Sequence, residues 1–230
     1  MRNIILPDIH NKIAVAEKIL KDFPYDHAWF LGDYFDDFFD SEREAYAVAE
    51  WVHEKLQDPK ISLLLGNHDY HYWKPNLEKC SGYTENKYRA IHTILRDSHF
   101  EQMITHAWVD GFLISHAGYS QKYLHPIKGL TPEVTTEWDT KAKADHGARK
   151  LPEIFWCGQD RSGSNLHSGI LWQDWRYAKK VEGVSQIVGH TPNFRWRTNN
   201  GDYCLDTALN CVGIIDNGKF SVVDIHGNAF

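Results

Sequence analysis

Ile61-Ser62-Leu63-Leu64-Leu65-Gly66-Asn67-His68-Asp69 passes from an apolar run of strand length straight into a glycine, an amide, an imidazole and a carboxylate. The apolar run reads as a buried strand and Gly66 as its exit into a turn. An Asn-His turn without chemical consequence is the plainer reading of the same residues. Four other segments repeat the pattern: Pro7-Asp8-Ile9-His10, Gly32-Asp33, Ser115-His116-Ala117-Gly118 and Gly189-His190-Thr191, each closing an apolar run. Carboxylates, imidazoles and an amide oxygen are the donors that hold divalent metals of intermediate softness.

Working outward from this stretch, Asn3 to Leu6 and Ala28 to Leu31 read as two further buried strands. Lys12 to Lys21 and Glu42 to Leu56 carry helical spacing between them. The order βαβαβ implies a largely parallel sheet covered by helices, with the ligand site beyond the carboxyl ends of its strands, where Asp8, Asp33 and Asn67 fall. A helical pattern follows from Asn86 to Arg96. Ile104 to Trp108 and Phe112 to Ser115 form a hairpin around Asp110-Gly111, ending at His116. Gln186 to Val188 leads into His190, and Tyr203 to Leu205, Val212 to Ile215 and Phe220 to Ile225 read as antiparallel strands, the last two joined by Asn217-Gly218. The expected fold is α/β: a four-layer αββα sandwich of two packed mixed sheets flanked by helices, with the metal site at strand C-terminal ends.

Residues 1–230 are expected to form one domain, with a cap-like insertion at about 119–184. That region holds Pro126, Pro132 and Pro152, a helix near Pro132 to His146, and the aromatic cluster Trp156, Trp172, Trp175 and Tyr177. No linker-like stretch bounds it, so it is read as an excursion that shapes the site.

Composition narrows the functional classes. The 230 residues are 42% hydrophobic with nine Trp, enough for one substantial core. With 25 Lys and Arg against 31 Asp and Glu, the net charge of −6 disfavours stable nucleic-acid binding. The N-terminal apolar run is too short for a signal peptide, and no stretch reaches the roughly 18 apolar residues of a membrane span. Cys80, Cys157, Cys204 and Cys211 lack zinc-ribbon or redox spacing and are read as free thiols in a cytoplasmic protein.

Asp8 and His10 stand two apart, so an extended segment points both to one side. Either could instead be a capping Asp beside a solvated His. Asp33, at a tight strand exit, could bridge two ions or simply be a solvated turn residue. His116 and His190 are each weak signals alone, since a lone strand-end His is usually satisfied by hydrogen bonds.

Together the five segments resemble the calcineurin-like metallophosphoesterase superfamily, in particular its branch of serine/threonine phosphoprotein phosphatases and diadenosine tetraphosphate hydrolases of the PrpE-like type. The likeness runs from Asp8 to His190, and Leu205-Asp206-Thr207-Ala208 is similar to the branch's closing Asp-Thr-Gly-Ala. The resemblance implies a pair of divalent metals, Mn²⁺ in first place and Fe, Zn²⁺ or Co²⁺ as alternatives. Asp8 and His10 would hold the first, Asp33 would bridge, and Asn67, His116 and His190 would complete the second. It further implies a metal-bridging hydroxide that attacks phosphorus in line, with His68, assisted by Asp36, protonating the leaving oxygen.

The chain departs from the branch pattern at Asp37, where the phosphatases carry a phosphate-binding Arg. Asp37 is expected to turn into solvent or to bind a cation. Arg176, Arg161 and Arg195 are the candidates for the missing clamp, Arg176 because Leu171-Trp172-Gln173-Asp174 is similar to the phosphatases' Leu-Trp-Ser-Asp. Thr191-Pro192 replaces the additional His of the phosphodiesterase branches, which argues against a phosphodiesterase or nuclease. Pro7 stands where Gly is common and removes no ligand. The expected substrate is a phosphorylated protein or a nucleotide phosphoanhydride. Tryptophans 156, 172 and 175 would favour the latter if they stack on a purine rather than fill the core. A catalytically silent binding scaffold is disfavoured because the full ligand set and His68 are present.

Overall fold

The computed structural model describes residues 1–122 and 129–229; Pro126 lies outside the described residues. In chain order the elements are β1 (Arg2–Leu6), α1 (Ile13–Asp22), β2 (His27–Phe30), α2 (Glu42–Lys55), β3 (Ile61–Leu63), α3 (Asn67–Trp73), α4 (Glu85–His92) and α5 (Asp97–Phe100). They continue with β4 (His106–Val109), β5 (Phe112–Ser115), α6 (Pro132–Gly147), β6 (Ser185–Val188), β7 (Arg197–Asn199), β8 (Asp202–Cys204), β9 (Cys211–Asp216) and β10 (Lys219–Asp224).

These strands make two five-stranded sheets, ordered β10-β9-β1-β2-β3 and β4-β5-β6-β8-β7. In the first sheet β1, β2 and β3 are parallel and β9 and β10 antiparallel. In the second, β5, β6 and β8 are parallel while β4 and β7 run antiparallel at the edges. Strand alternation assigns the layers. Ile5, Leu31, Ile114, Ile187 and Ile215 form the core between the sheets, whereas Ile4, Leu6, Leu113 and Ile214 point to the opposite faces and pack with helical residues such as Ala16, Ile19, Val48 and Val52. The fold is therefore the α/β sandwich of two packed mixed sheets expected from the sequence.

Local chemistry explains several boundaries. Ser41 and Glu44 close a capping box on α2, and Thr131 with Pro132 starts α6. The helical pattern expected to Arg96 stops at His92, because the Thr93 hydroxyl donates to the Ala90 carbonyl at 2.6 Å and the chain turns to bury Leu95. The hairpin strand expected from Ile104 begins at His106. Ile104 instead bridges Leu64, donating to Leu63 O at 3.0 Å and accepting from Leu65 N at 2.8 Å, which ties the hairpin to the first sheet. Within residues 119–184, Tyr119, Leu130, Ile154, Phe155, Ile170 and Leu171 are buried in the main core. No helix among the described residues is long and apolar enough to cross a membrane.

Candidate metal centre

Asp8 follows β1, Asp33 follows β2, Asn67 opens α3 just beyond β3, His116 follows β5 and His190 follows β6. The edges of both sheets thus deliver the donors to one place. Backbone strain gathers there, since His10, Asp33, Asp36 and His190 have φ of 41°, 53°, 65° and 65°. Gly32, at φ 103°, permits the approach of the two strand exits: a Cβ on it would come 2.5 Å from Gly66 N.

Two donor groups share Asp33. Asp8, His10 and Asp33 form one, and Asp33, His116 and His190 the other, each with its donor atoms within 4.8 Å of one another. His10 Nδ1 and His116 Nδ1 each lie 2.9 Å from a main-chain carbonyl, of Phe35 and Leu31 respectively. A carbonyl only accepts, so Nδ1 carries the proton and each Nε2 keeps its lone pair for the site. His116 Nε2 lies 3.0 Å from Asn67 Oδ1, 3.0 Å from His190 Nδ1 and 3.4 Å from Asp33 Oδ2. Asn67 Nδ2 points to Cys80 Sγ at 3.6 Å, which turns Oδ1 toward the imidazole. Acceptors therefore face an acceptor, an arrangement that fits a cation between them.

Electrostatics agree. Asp8 is pushed well above the usual carboxylate range by burial and by the charges of Asp206 and Asp33, repulsion that divalent cations would relieve. Burial also pushes Asp33 up, but the surrounding imidazoles of His116, His68 and His10 and the His68 N–H outweigh it and hold it low. Burial lowers His116 and His190, with Arg161 adding to it at His190. Both are thereby kept neutral, as metal ligands must be.

His68 and Asp36 lie beside Asp33. His68 N donates to Asp33 Oδ1 at 2.9 Å, His68 Nδ1 lies 2.9 Å from Asp36 Oδ2, and the His68 ring stands edge-on to His10 at 5.2 Å between centroids. Asp36 Oδ1 accepts from Tyr72 Oη and from Lys87 Nζ, both at 2.7 Å. Of the arginines, Arg161 reaches Thr191 Oγ1 at 2.8 Å, next to His190, with its Nε 3.2 Å from Asp174. Arg176 is 63% exposed and paired with Asp174 at 2.6 Å, and Arg195 is exposed. Asp37 is exposed as well, which removes its charge from the site.

Three contributors had escaped the sequence reading as site residues. Asp69, wholly buried, accepts from the backbone N–H groups of Asp33, Tyr34 and Gly66. Lys87 is buried against Asp36 and Asp40. Asp206 adds a further buried carboxylate, close enough for its charge to act on Asp8. Only its place in Leu205-Asp206-Thr207-Ala208 could have pointed to it; nothing local marks Lys87.

Buried carboxylates, imidazoles and an amide at the strand ends of an αββα sandwich define a metal-dependent phosphoester hydrolase. The chain belongs to the calcineurin-like phosphoesterase family, whose model matches residues 1–224. Its fold is similar to a cold-active protein-tyrosine phosphatase of a psychrophilic Shewanella species (TM-score 0.64, 15% identity, covering 100% of this chain and 79% of that one). It is similar also to a protein serine/threonine phosphatase of Saccharomyces cerevisiae (0.57, 10%, covering 100% and 80%). A third likeness is to a provisionally assigned diadenosine tetraphosphatase (0.55, 15%, covering 97% and 93%). At these identities the likeness speaks for the fold. No curated protein sequence matches the chain.

Proposed function

We propose that this protein is a two-metal phosphomonoesterase in which His68 is the general acid. The convergence of donors from Asp8, His10, Asn67, His116 and His190 on two points that share Asp33 carries this assignment. When bound, two divalent cations supply electrophilic stabilisation of the phosphoryl oxygens and make water a stronger acid. The mixed oxygen and nitrogen donors suit Mn²⁺, and also Fe, Zn²⁺ or Co²⁺.

The chain's own groups account for orientation and proton transfer. Asp36 accepts from His68 Nδ1, leaving Nε2 as the atom that gives a proton to the departing oxygen. Burial opposes charge on His68, but Asp33 and Asp36 outweigh it and hold the imidazole well above its usual value in the cation-free chain. Tyr72 and Lys87 fix Asp36 as a positioning residue. Arg161 supplies the substrate clamp in place of the Arg missing at position 37, because it alone of the three candidates is tied beside His190. Among the described residues of the 119–184 stretch, Arg161 and Trp172 reach the site and cover it beside His190.

A phosphomonoester is preferred to a dinucleoside polyphosphate, since Trp172, the tryptophan beside His190, is only 8% exposed and set edge-on to it, while Trp156 and Trp175 are half-buried. The phosphatase neighbours favour a phosphorylated protein as substrate. The four free thiols suit the cytoplasm. Phosphate release by the Mn²⁺-supplemented protein from phosphopeptides and from diadenosine tetraphosphate is the test. Turnover of phosphopeptides is expected; cleavage of the dinucleotide alone, or of neither, refutes the assignment.

A further inference from the structure

Asp36 has a second imidazole beside it. His71 Nε2 lies 2.9 Å from Asp36 Oδ2, the oxygen that also holds His68, while Nδ1 of the same ring lies 3.0 Å from Cys80 Sγ. One donor atom each from His68, His71 and Cys80 falls within 4.8 Å of the others. His71 is wholly buried, and its Nε2 makes no well-formed hydrogen bond despite the short approach to Asp36.

The origin of the cluster is local. His68 and His71 stand three apart on α3 and so share a face. Cys80 comes from the segment between α3 and α4, which is pressed onto Asp36 at Gly82: a Cβ there would come 2.6 Å from Asp36 Cγ, and φ is 91°. Cys80 is half-buried, with exposed Lys79 and Ser81 on either side of it in the chain.

From these positions we propose that Cys80, His71 and His68 form a third cation site, selective for Zn²⁺, that switches the enzyme off. It rests on the assignment of His68 as general acid. One sulfur and two imidazoles are a donor set for Zn²⁺ rather than for Mn²⁺. Tetrahedral bonds of about 2.3 Å to sulfur and about 2.1 Å to nitrogen set S and N about 3.6 Å apart, so the Cys80–His71 pair has to open by roughly half an ångström. Asp36 already sits on the far nitrogen of His71, as the carboxylate behind a metal-bound histidine does. Binding releases to solvent the Cys80 thiol proton and the proton of the His68 nitrogen that is committed to the cation, which removes that imidazole from proton transfer. Lys87 on the other oxygen of Asp36 opposes the added positive charge and keeps the site reversible.

The test uses the full chain loaded with Mn²⁺ and titrated with Zn²⁺, with Co²⁺ as a spectroscopic substitute. One further equivalent should bind with thiolate-to-cobalt charge-transfer absorption, and Zn²⁺ should lower phosphopeptide turnover by at least about tenfold, the effect of immobilising a general acid. Cys80→Ser, or Cys80→Ala should serine disturb folding, should lose the absorption, and its own turnover with Mn²⁺, whatever its level, should not fall when Zn²⁺ is added. Absorption missing from the wild type or surviving in the variants overturns the site, and binding without loss of turnover overturns the switch. Equal inhibition of wild type and variants overturns it too, marking exchange at the principal metal pair. If the enzyme lacks turnover before Zn²⁺ is added, the catalytic assignment fails while the cobalt absorption still decides the site.

Discussion

Asp69 should be the residue on which the geometry of the metal centre most depends, although it faces no metal. Its Oδ2 accepts from Asp33 N and Gly66 N, both at 2.8 Å, and its Oδ1 from Tyr34 N at 2.9 Å, all in a fully buried setting. One carboxylate thus joins the exit of β2, which carries Asp33, to the entry of α3, which carries Asn67 and His68. Asp69→Asn retains one acceptor oxygen and turns an amide NH₂ toward the remaining donor. A buried donor left unmatched costs about 1–3 kcal/mol, and for a chain of this size each kcal/mol shifts Tm by about 2–4 °C. The expected loss is therefore roughly 2–12 °C, and Asp69→Ala, which orphans three donors, should lose more. Charge adds a second, opposing effect. Burial and the nearby Asp33 push Asp69 up to about 7, so neutralising it relieves repulsion in protein stripped of cations. Cations reverse that benefit. Thermal melts of Asp69→Asn in chelator and in excess Mn²⁺ should show the greater loss with Mn²⁺, together with weaker metal retention on dialysis. A variant that melts with the wild type under both conditions and holds its metal as tightly would refute the role given to this carboxylate.

His68→Gln should lower kcat by about two to four orders of magnitude with metal content unchanged, measured by steady-state kinetics beside elemental analysis. Arg161→Ala should raise KM by about 10- to 100-fold, the worth of one charge-assisted phosphate contact, whereas Arg176→Ala should change it little because that side chain is exposed and spent on Asp174. In Gly189→Ala the new Cβ would overlap Asp8 Oδ1, turning the carboxylate from His190 N; metal retention should fall by about 10- to 100-fold without loss of the far-ultraviolet dichroism. Asp36 is held well below the usual carboxylate range: burial raises it, but its hydrogen bonds and charges with His68 and His71 dominate. Its contribution to stability is then complete above the unfolded value of about 3.9 and is lost as pH falls further toward the folded one. Acid unfolding of Asp36→Asn should accordingly be less steep with pH below about 4 than that of the wild type, and equal slopes would count against the ion cluster.

The donors at strand ends were legible because two local signals coincide at each: an apolar run that must be buried, and a polar residue placed where the run stops. α2 was legible through the helical spacing from Glu42 to Leu56, and the last hairpin through Asn217-Gly218. α3 was not, since Gly66-Asn67-His68-Asp69 reads locally as a turn and becomes helical only because Asp69 folds back on Gly66 N and binds the β2 exit. β7 was missed because three polar residues, two of them exposed, carry no apolar alternation; the turn signal Asn200-Gly201 was its only trace. Arg176 drew attention as the clamp through its sequence context, but Asp174 holds it at the surface while Arg161 reaches Thr191.

By itself, then, the sequence determined the layered α/β class and singled out the candidates for metal donors and proton donor, because burial periodicity and side-chain chemistry are local properties of the chain. Only the tertiary structure decided which nitrogen of each imidazole faces inward, which arginine approaches His190, and that Lys87, His71 and Cys80 gather around Asp36. Those depend on contacts between segments far apart in the chain, up to the 182 residues separating Asp8 from His190 N, and such contacts are set by the packing of two sheets rather than by any residue's neighbours in sequence.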